Sequence, residues 1–313
     1  MKPIFLSLRF GGRELGLHSY GMLIACGFAI GIALAFREAR RRGLDGGKIL
    51  DLSFWVLVSG LLGSRAFYVA LNAADFARVC AGSGDGVPRP LGAIVWDCTR
   101  PLHVWQGGLV FYGGFIAAAA TVAWFARRQE WSFWTVGDVF APSLAIGHAF
   151  GRLGCYTAGC CFGKIAGAGV RWTAAFPRGS VAFEELASAG ATDLGAEVTP
   201  GLFPTQLYEA AGELAIFAFL MLIRRRTAQR PGTLFLLYAA LYGVLRFGIE
   251  IFRGDFARKY LIELTLPRLA ARLGLPAGEA VLLSTGQVVS VAIVVAALVL
   301  LVQRRSRGVS SVA

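Results

Sequence analysis

The chain of 313 residues is 56% hydrophobic and only 16% charged, well below the charged share of about 25% that soluble domains carry. Together with a mean hydropathy of +0.61, this composition indicates a membrane protein and excludes a soluble one. The net charge of +12 does not indicate nucleic-acid binding, because the basic residues cluster beside apolar runs and are not interleaved with aromatic residues.

Seven apolar runs are each long enough to cross a bilayer, which takes about 20 residues. We predict membrane-spanning helices over residues 17–36, 49–71, 104–126, 135–155, 205–223, 232–252 and 281–302. The first run follows Arg9 and Arg13 and lacks a small-residue cleavage site, so we expect it to be retained and not removed as a signal peptide. The expected fold class is an all-α membrane protein, with residues 1–313 forming a single polytopic domain.

The distribution of basic residues predicts the orientation of the chain. Nearly half of the 31 Lys and Arg residues lie in four short segments that follow the first, third, fifth and seventh spans. Because cytoplasmic loops are rich in Lys and Arg, we expect the N-terminus outside and the C-terminus in the cytoplasm. Loops 72–104 and 156–204 then lie outside and form a small extracytoplasmic head. Cys80 and Cys98 would face an oxidising compartment, where they either pair or stay free.

Charged side chains within the spans are the strongest pointers to function, because each costs about 2.5 to 3.5 kcal/mol on insertion scales. These positions, with one histidine, are Arg65, Asp138, His148, Arg152, Glu209, Glu213, Arg246 and Glu250. Arg246 and Glu250 are four residues apart and share a helical face with Tyr242. They form either part of a polar cavity or an ion pair that only neutralises two charges, and Arg65 with Glu209 could be a structural pair.

The segment GRLGCYTAGCCFGK, residues 151–164, places Arg152 directly before a glycine-rich turn. Exposed backbone N–H groups and a guanidinium together can hold a phosphate, so the segment predicts a site for an anionic lipid headgroup. His148, one turn earlier, is more typical of a packed helix residue than of a catalyst. The segment FPTQLYE, residues 203–209, turns Gln206 and Glu209 inward at the start of the fifth span.

Seven segments resemble, in the right order, the motifs of the prolipoprotein diacylglyceryl transferase family. They are LHSYGMLIACGF, GSRAFYV, WQGGLVFYGGF, GDVFAPSLAIGHAFGRLGC, FPTQLYE, LYGVLRFGIEIFR and STGQVVS. The resemblance covers nearly the whole chain and implies seven transmembrane helices with a periplasmic head in the bacterial inner membrane. The implied reaction moves the diacylglyceryl group of phosphatidylglycerol onto the lipobox cysteine of a prolipoprotein signal peptide, forming a thioether. The implied partners are that peptide and membrane lipid, without a cofactor or nucleic acid.

The resemblance also implies roles for individual residues. Those expected to be catalytic are Arg152, Arg246, Glu250, Tyr242 and Tyr112. Those expected to bind substrate are Tyr20, Arg65, Gly154, Cys155, Gly163, Gln206 and Glu209. Arg152 and Arg246 would carry the phosphate charge, and Glu250 would accept the thiol proton, ahead of Tyr112, Tyr242 and His148.

The chain departs from the family pattern within its signature segment. Cys155 and Ala158 stand where the family has asparagines, Cys160 replaces a glutamate, and Lys164 replaces an arginine. Tyr112 replaces a histidine that would serve as the general base.

Three interpretations of Cys155, Cys160 and Cys161 remain open. They pack as small apolar residues, or one of them holds lipid covalently in an enzyme with another acceptor, or they belong to a non-catalytic lipid-binding or thiol-redox membrane protein. The spacing C-x4-C-C differs from the C-x-x-C of dithiol motifs. Without an adjacent histidine it also differs from tetrahedral zinc motifs, so the sequence predicts no metal site.

Overall fold

The computed structural model describes residues 4–10, 13–81, 90–103, 107–167, 169–255, 260–276, 278 and 281–310. In chain order the elements are β1 (Ile4–Phe10), β2 (Arg13–His18), α1 (Ser19–Arg41), α2 (Gly46–Leu71), α3 (Ala73–Ala81), α4 (Leu91–Thr99), α5 (Phe111–Arg128), α6 (Phe133–Ala158), α7 (Val181–Ser188), α8 (Thr205–Ile223), α9 (Thr233–Phe252), β3 (Tyr260–Leu264), α10 (Pro267–Leu273), β4 (Leu282–Ser284) and α11 (Thr285–Ser310). The strands form two antiparallel pairs, β1 with β2 and β3 with β4. The protein is therefore mostly helical.

Five helices are long and apolar enough to cross a membrane, namely α1, α2, α8, α9 and α11. The chain is thus a multi-pass, all-α membrane protein. Helices α5 and α6 occupy the other two apolar runs but fall outside this set.

Two helices begin later than the apolar runs that predict them. Helix α5 begins at Phe111 instead of near residue 104, because Gly107 and Gly108 have φ angles of +83° and +69°, which end regular structure before it. Helix α11 begins at Thr285 because its first turn carries a capping box. There, the Ser284 hydroxyl accepts from the Gln287 backbone N–H at 3.2 Å, and the Gln287 side chain accepts from the Ser284 N–H at 3.1 Å.

The structure divides into two compact units, one of residues 36–136 and the other of residues 1–35 and 137–313. In the first unit, α2 packs on α5 through glycines. A Cβ on Gly63 would lie 2.6 Å from the carbonyl oxygen of Gly113, so a larger residue would force the helices apart. A disulfide between Cys80 and Cys98 joins α3 to α4, so these two cysteines do pair.

In the second unit, α6, α8 and α9 share an apolar core of Ala141, Ala145, Ile216, Leu220 and Leu234. Beside this core, the fully buried carboxylate of Asp138 accepts hydrogen bonds from the backbone N–H groups of Gly232 and Phe235, both at 2.9 Å. Gly232 is the N-cap of α9 and Phe235 lies in its first turn, where backbone N–H groups lack partners within their own helix. Asp138 is therefore a helix cap supplied by a neighbouring helix.

We expect Asp138→Ala to lower the free energy of unfolding by about 2 kcal/mol, because two buried N–H groups lose a charged acceptor. Asp138→Asn keeps one acceptor oxygen and should lose less. Thermal unfolding in detergent measures both changes, with Asp193→Ala, at an exposed position, as the control. An unchanged midpoint for Asp138→Ala would contradict the capping role.

Two small lobes lie outside the long helices of the second unit. The segment 159–204 contains α7 and a buried cluster of Phe162, Ala174, Phe176, Ala182, Leu186 and Leu202. The segment 260–284 contains β3, α10 and β4, and its residues Ala270, Leu275 and Val281 form a buried cluster with Phe203 of the first lobe. A backbone bridge between Gly163 and Arg253 connects the first lobe to the end of α9. The sequence predicts the first lobe but not the second.

Candidate active site

Helices α6, α8 and α9 of the second unit bring together most of the charged residues expected within the spans. Arg152 and His148 come from α6, Glu209 and Glu213 from α8, and Arg246 and Glu250 from α9. The three carboxylates are 0 to 3% exposed, and buried charges of this kind need partners. The site is therefore a set of buried ion pairs. Without these partners, such charged side chains would be too costly to place in a membrane helix.

Glu209 lies between the two arginines. The Nε of Arg152 is 3.0 Å from the Oε2 of Glu209, and the Nη1 of Arg246 is 3.9 Å from the same oxygen. One carboxylate thus holds two guanidinium groups from different helices within a single site. Both arginines keep some exposure, 16% and 18%, so each can still meet a ligand.

Glu250 contacts both Arg246 and Ser284. Its Oε2 lies 2.8 Å from the Nη2 of Arg246, and its Oε1 accepts a hydrogen bond from the Ser284 hydroxyl at 3.1 Å. Ser284 caps α11, whose positive N-terminal end favours a nearby carboxylate. The Arg246–Glu250 pair predicted from the four-residue spacing is thus one part of a larger network.

His148 takes part in the same network, although the sequence favours a packing role for it. The Nε–H of Arg152 donates to the Nε2 of His148 at 3.1 Å, and the Nδ1 of His148 lies 2.9 Å from the Oε1 of Glu213. Because Nε2 accepts, the ring proton belongs on Nδ1, facing Glu213. The ring also lies 5.3 Å from that of Tyr242, which places this tyrosine at the site.

The glycine- and cysteine-rich turn follows directly at the end of α6. Gly159 and Cys161 have φ angles of +72° and +56°, and the second is unusual for a residue other than glycine. The Thr205 hydroxyl donates to the Cys161 carbonyl at 2.9 Å, and the Gln206 amide donates to the Cys160 carbonyl at 2.8 Å. The first turn of α8 therefore fixes the shape of the cysteine turn.

The sulfur atoms of Cys155, Cys160 and Cys161 all lie within 4.8 Å of one another. Hydrogen bonds with the other two thiols hold the pKa of Cys161 well below its usual range, and the nearby Arg152 and Arg253 guanidinium groups act in the same direction. Hydrogen bonds with Cys155 and Cys161 raise the pKa of Cys160. The two arginines therefore favour the thiolate form of Cys161 over that of its neighbour Cys160.

Tyr20 and two glycines complete the surroundings of the turn. A Cβ on Gly154 would lie 3.1 Å from the Tyr20 ring, so the small residue lets this ring reach the end of α6. A side chain on Gly163 would collide with the Phe203 carbonyl. Gly163 therefore permits close backbone packing, which is sufficient reason for a glycine at this position.

Arg65 and Tyr112 lie in the first unit. The Arg65 guanidinium donates to the backbone carbonyls of Arg100, Pro101, Gly107 and Gly108 at 2.6 to 3.2 Å. These bonds fasten the segment before α5 to α2, so Arg65 has a clear structural role. Tyr112 is 62% exposed in the first turn of α5.

The sequence interpretation did not mention Arg253, and it named Glu213 as a charged residue within a span without giving it a role. Arg253, which pairs with Asp255 through two hydrogen bonds of 2.8 and 2.7 Å, lies near Cys161. It follows Arg246 by seven residues, a spacing that would place both arginines on one face of a continuous helix, but α9 ends at Phe252 and Arg253 has an extended backbone. Its proximity to Cys161 is therefore a result of the fold. Glu213 follows Glu209 by four residues and shares its face, but its partner His148 lies on another helix, which no local spacing indicates.

Comparison with known proteins identifies the family. The family model described as prolipoprotein diacylglyceryl transferase matches residues 7–303. A protein of Geobacillus kaustophilus is 33% identical over 296 residues, which cover 93% of this chain and 90% of its own length. A protein of Thermosynechococcus vestitus is 33% identical over 246 residues, covering 77% and 80% of the two chains. A protein of Clostridium tetani is 28% identical over 255 residues, covering 82% and 86%.

All three relatives are named phosphatidylglycerol–prolipoprotein diacylglyceryl transferase. The matched region includes the arginines, the carboxylates and the cysteine turn described above. The chain therefore belongs to the prolipoprotein diacylglyceryl transferase family.

Proposed function

We propose that this protein transfers the diacylglyceryl group of phosphatidylglycerol to the thiol of the lipobox cysteine in a prolipoprotein signal peptide. The observation that carries the proposal is the pair of partly buried guanidinium groups, Arg152 and Arg246, which the carboxylate of Glu209 holds together. Guanidinium groups bind phosphate with two parallel hydrogen bonds. The names of the relatives agree with this choice of lipid and acceptor.

The transfer is a substitution at carbon. The thiolate sulfur attacks the glyceryl carbon next to the phosphate, a C–S bond forms, and the C–O bond to the phosphate breaks. The electron pair leaves with the oxygen, so a glycerol phosphate anion departs. Fixed cations in a site of low dielectric stabilise such developing charge most effectively, and this is the role we give to Arg152 and Arg246.

The residues around the cysteine turn supply substrate contacts in this proposal. Tyr20, Gly154 and Cys155 border the end of α6, and Gln206 lies at the start of α8. The amide oxygen of Gln206 is buried and has no hydrogen-bond partner among the described residues, which suits it to accept from a glycerol hydroxyl. In this scheme Tyr20 orients the headgroup, and Tyr242 packs against His148. Arg65 holds the segment before α5 against α2.

Glu250 accepts the proton of the attacking thiol in this scheme, and Tyr112 is not required as the base. We expect Glu250→Gln to lower the transfer rate by about 10²- to 10³-fold, because the proton acceptor and the counterion of Arg246 are lost together. Transfer to a lipobox peptide in phosphatidylglycerol proteoliposomes measures this. Glu184→Gln, at an exposed position in α7, is the matched control. Equal rates for Glu250→Gln and the unchanged protein would remove Glu250 from the mechanism.

We also propose seven membrane crossings in the bacterial inner membrane, with α5 and α6 as the third and fourth. The N-terminus then lies outside and the C-terminus in the cytoplasm, and loops 72–104 and 156–204 form the extracytoplasmic head. The Cys80–Cys98 disulfide supports this orientation, because disulfides persist on the oxidising side of the membrane.

Complementation tests the function most directly. In a bacterial strain depleted of its own transferase, this chain should restore growth and lipid attachment to prolipoproteins. Membranes containing it should convert phosphatidylglycerol and a lipobox peptide to the diacylglyceryl thioether. If native lipid is present and neither rescue nor product appears, the protein binds lipid without performing this transfer.

A further inference from the structure

The three-cysteine turn offers a set of metal ligands that its spacing alone does not predict. Cys155 comes from the last turn of α6, and Cys160 and Cys161 come from the turn that follows. The fold brings their sulfur atoms within 4.8 Å of one another. In tetrahedral zinc–thiolate sites, with Zn–S bonds of about 2.3 Å, neighbouring sulfurs lie roughly 3.8 Å apart. The observed separations therefore need to shrink by about 1 Å at most.

The backbone of the turn is built to hold this arrangement. Cys161 adopts a left-handed conformation with a φ of +56°, which costs energy for a residue with a side chain. Thr205 and Gln206 fasten the carbonyls of Cys161 and Cys160 to α8. A turn kept in a strained conformation by two side-chain hydrogen bonds positions the thiols before any ion binds.

The number of ligands indicates the kind of metal site. Within the described residues, the group contains three cysteines and no fourth His, Cys, Asp or Glu ligand. Structural zinc sites use four protein ligands, whereas catalytic sites use three and leave one position for water or substrate. Three thiolates with an open position also select a thiophilic ion such as Zn²⁺ over Mg²⁺ or Ca²⁺.

The proposed reaction requires a deprotonated lipobox thiol, and a bound thiophilic ion can provide it. A free thiol has a pKa near 8.5, so only a small part of the lipobox thiol is present as the nucleophilic thiolate at neutral pH. The histidine expected of the family is Tyr112 here, and a phenol is a weak base at neutral pH. A thiol that binds a metal is deprotonated on coordination.

We propose that Cys155, Cys160 and Cys161 bind one Zn²⁺ ion, whose open fourth position binds the lipobox thiol as the thiolate that is alkylated. This inference rests on the proposed function. The bound thiol gives its proton to Glu250, and its sulfur attacks the glyceryl carbon while the C–O bond to the phosphate breaks. The glycerol phosphate leaves with the electron pair, and the neutral thioether product, a weaker ligand, leaves the ion. No oxidant or reductant is consumed.

The position of the cysteines relative to the phosphate site fits this sequence of events. Cys155 follows Arg152 by three residues on α6, so the two side chains are neighbours on one helical face. An attacking sulfur held at the cysteine turn would therefore lie beside the guanidinium that binds the leaving phosphate. Arg253, also near Cys161, offsets the negative charge that several thiolates bring.

Metal content is the first measurement. We expect the full chain, purified in nanodiscs from zinc-replete cells, to carry one Zn²⁺ per molecule, as measured by inductively coupled plasma mass spectrometry. Cys155→Ser, Cys160→Ser and Cys161→Ser should each lose at least about tenfold in zinc affinity. Cys26→Ser is the matched control, because Cys26 is an exposed free cysteine in α1 outside the group. A zinc-free protein with three reactive thiols, or with a disulfide among them, overturns the proposal.

Cobalt substitution tests the open position in the unchanged chain, so it does not depend on whether the variants fold. The Co²⁺ form should show thiolate-to-metal charge-transfer absorption. A lipobox peptide should strengthen and shift these bands, and the same peptide with serine in place of cysteine should not. Bands that do not respond to the cysteine peptide overturn thiol binding at the metal.

The zinc inference and the proposed function fail in different ways. If protein freed of zinc by a chelator, with its metal content verified, transfers lipid at the full rate, the zinc inference fails and the function stands. If zinc-loaded protein binds the peptide thiol at cobalt yet forms no thioether from phosphatidylglycerol, the transfer proposal fails and the metal site stands.

Discussion

Arg152→Ala is expected to lower the rate of diacylglyceryl transfer by at least about 10³-fold, because the departing phosphate loses a fixed cation in a site of low dielectric. The guanidinium is held by Glu209 at 3.0 Å and His148 at 3.1 Å, so its orientation is set before substrate binds. A group that is already oriented acts mainly on the transition state, and we expect the loss in kcat to exceed the change in KM.

Arg152→Lys separates charge from geometry. A lysine keeps the positive charge but offers a single ammonium instead of a planar fork, so we expect it to recover only a small part of the lost rate. Arg171→Ala, at an exposed position in the first lobe, is the matched control and should leave transfer unchanged. Full activity of Arg152→Lys would show that charge alone is needed and that bidentate phosphate binding is not part of the mechanism.

The sequence is most informative about the helices. Each of the seven apolar runs contains a helix in the structure, because a long apolar stretch in lipid has to satisfy its backbone groups internally. The exact helix ends depend on details that hydropathy does not record. Two left-handed glycines delay α5, and the Ser284–Gln287 capping box delays α11.

The cost of burying charge identifies the important positions but does not distinguish their roles. Arg152, Arg246 and Glu250 meet in one network of ion pairs. Asp138 meets the same criterion, yet it caps α9 through donors more than ninety residues away in sequence. Such long-range hydrogen bonds leave no periodic signal, so only the fold separates a helix cap from a functional carboxylate.

The cysteine turn shows that the spacing of a short motif is also insufficient to predict which side chains the fold brings together. The spacing C-x4-C-C predicts neither a dithiol nor a zinc site. A prediction from spacing assumes that the backbone between the cysteines has a regular conformation. The structure instead combines the end of α6 with a left-handed residue at Cys161. Three cysteines whose sequence spacing fits no common metal motif therefore have sulfur atoms within 4.8 Å of one another.

Among the residues of the site, Glu209 is expected to contribute most to the stability of the protein. Its carboxylate is 2% exposed and contacts both Arg152 and Arg246. Removing one partner of a buried ion pair leaves an uncompensated charge, which costs about 3 to 5 kcal/mol. We therefore expect Glu209→Ala to lower the free energy of unfolding by roughly that amount, measured by denaturant unfolding in detergent.

Glu209→Gln distinguishes loss of charge from loss of shape. It fills the same volume and keeps an acceptor oxygen, so it should recover part of the stability while the two guanidinium groups still repel each other. A double variant, Glu209→Gln with Arg152→Gln, removes one cation together with the shared anion. It should be more stable than Glu209→Gln alone, because the remaining arginine, Arg246, keeps Glu250 as its partner. If the double variant is instead less stable by the sum of the two single effects, Glu209 and Arg152 are energetically independent, and the bridging role of this carboxylate is wrong.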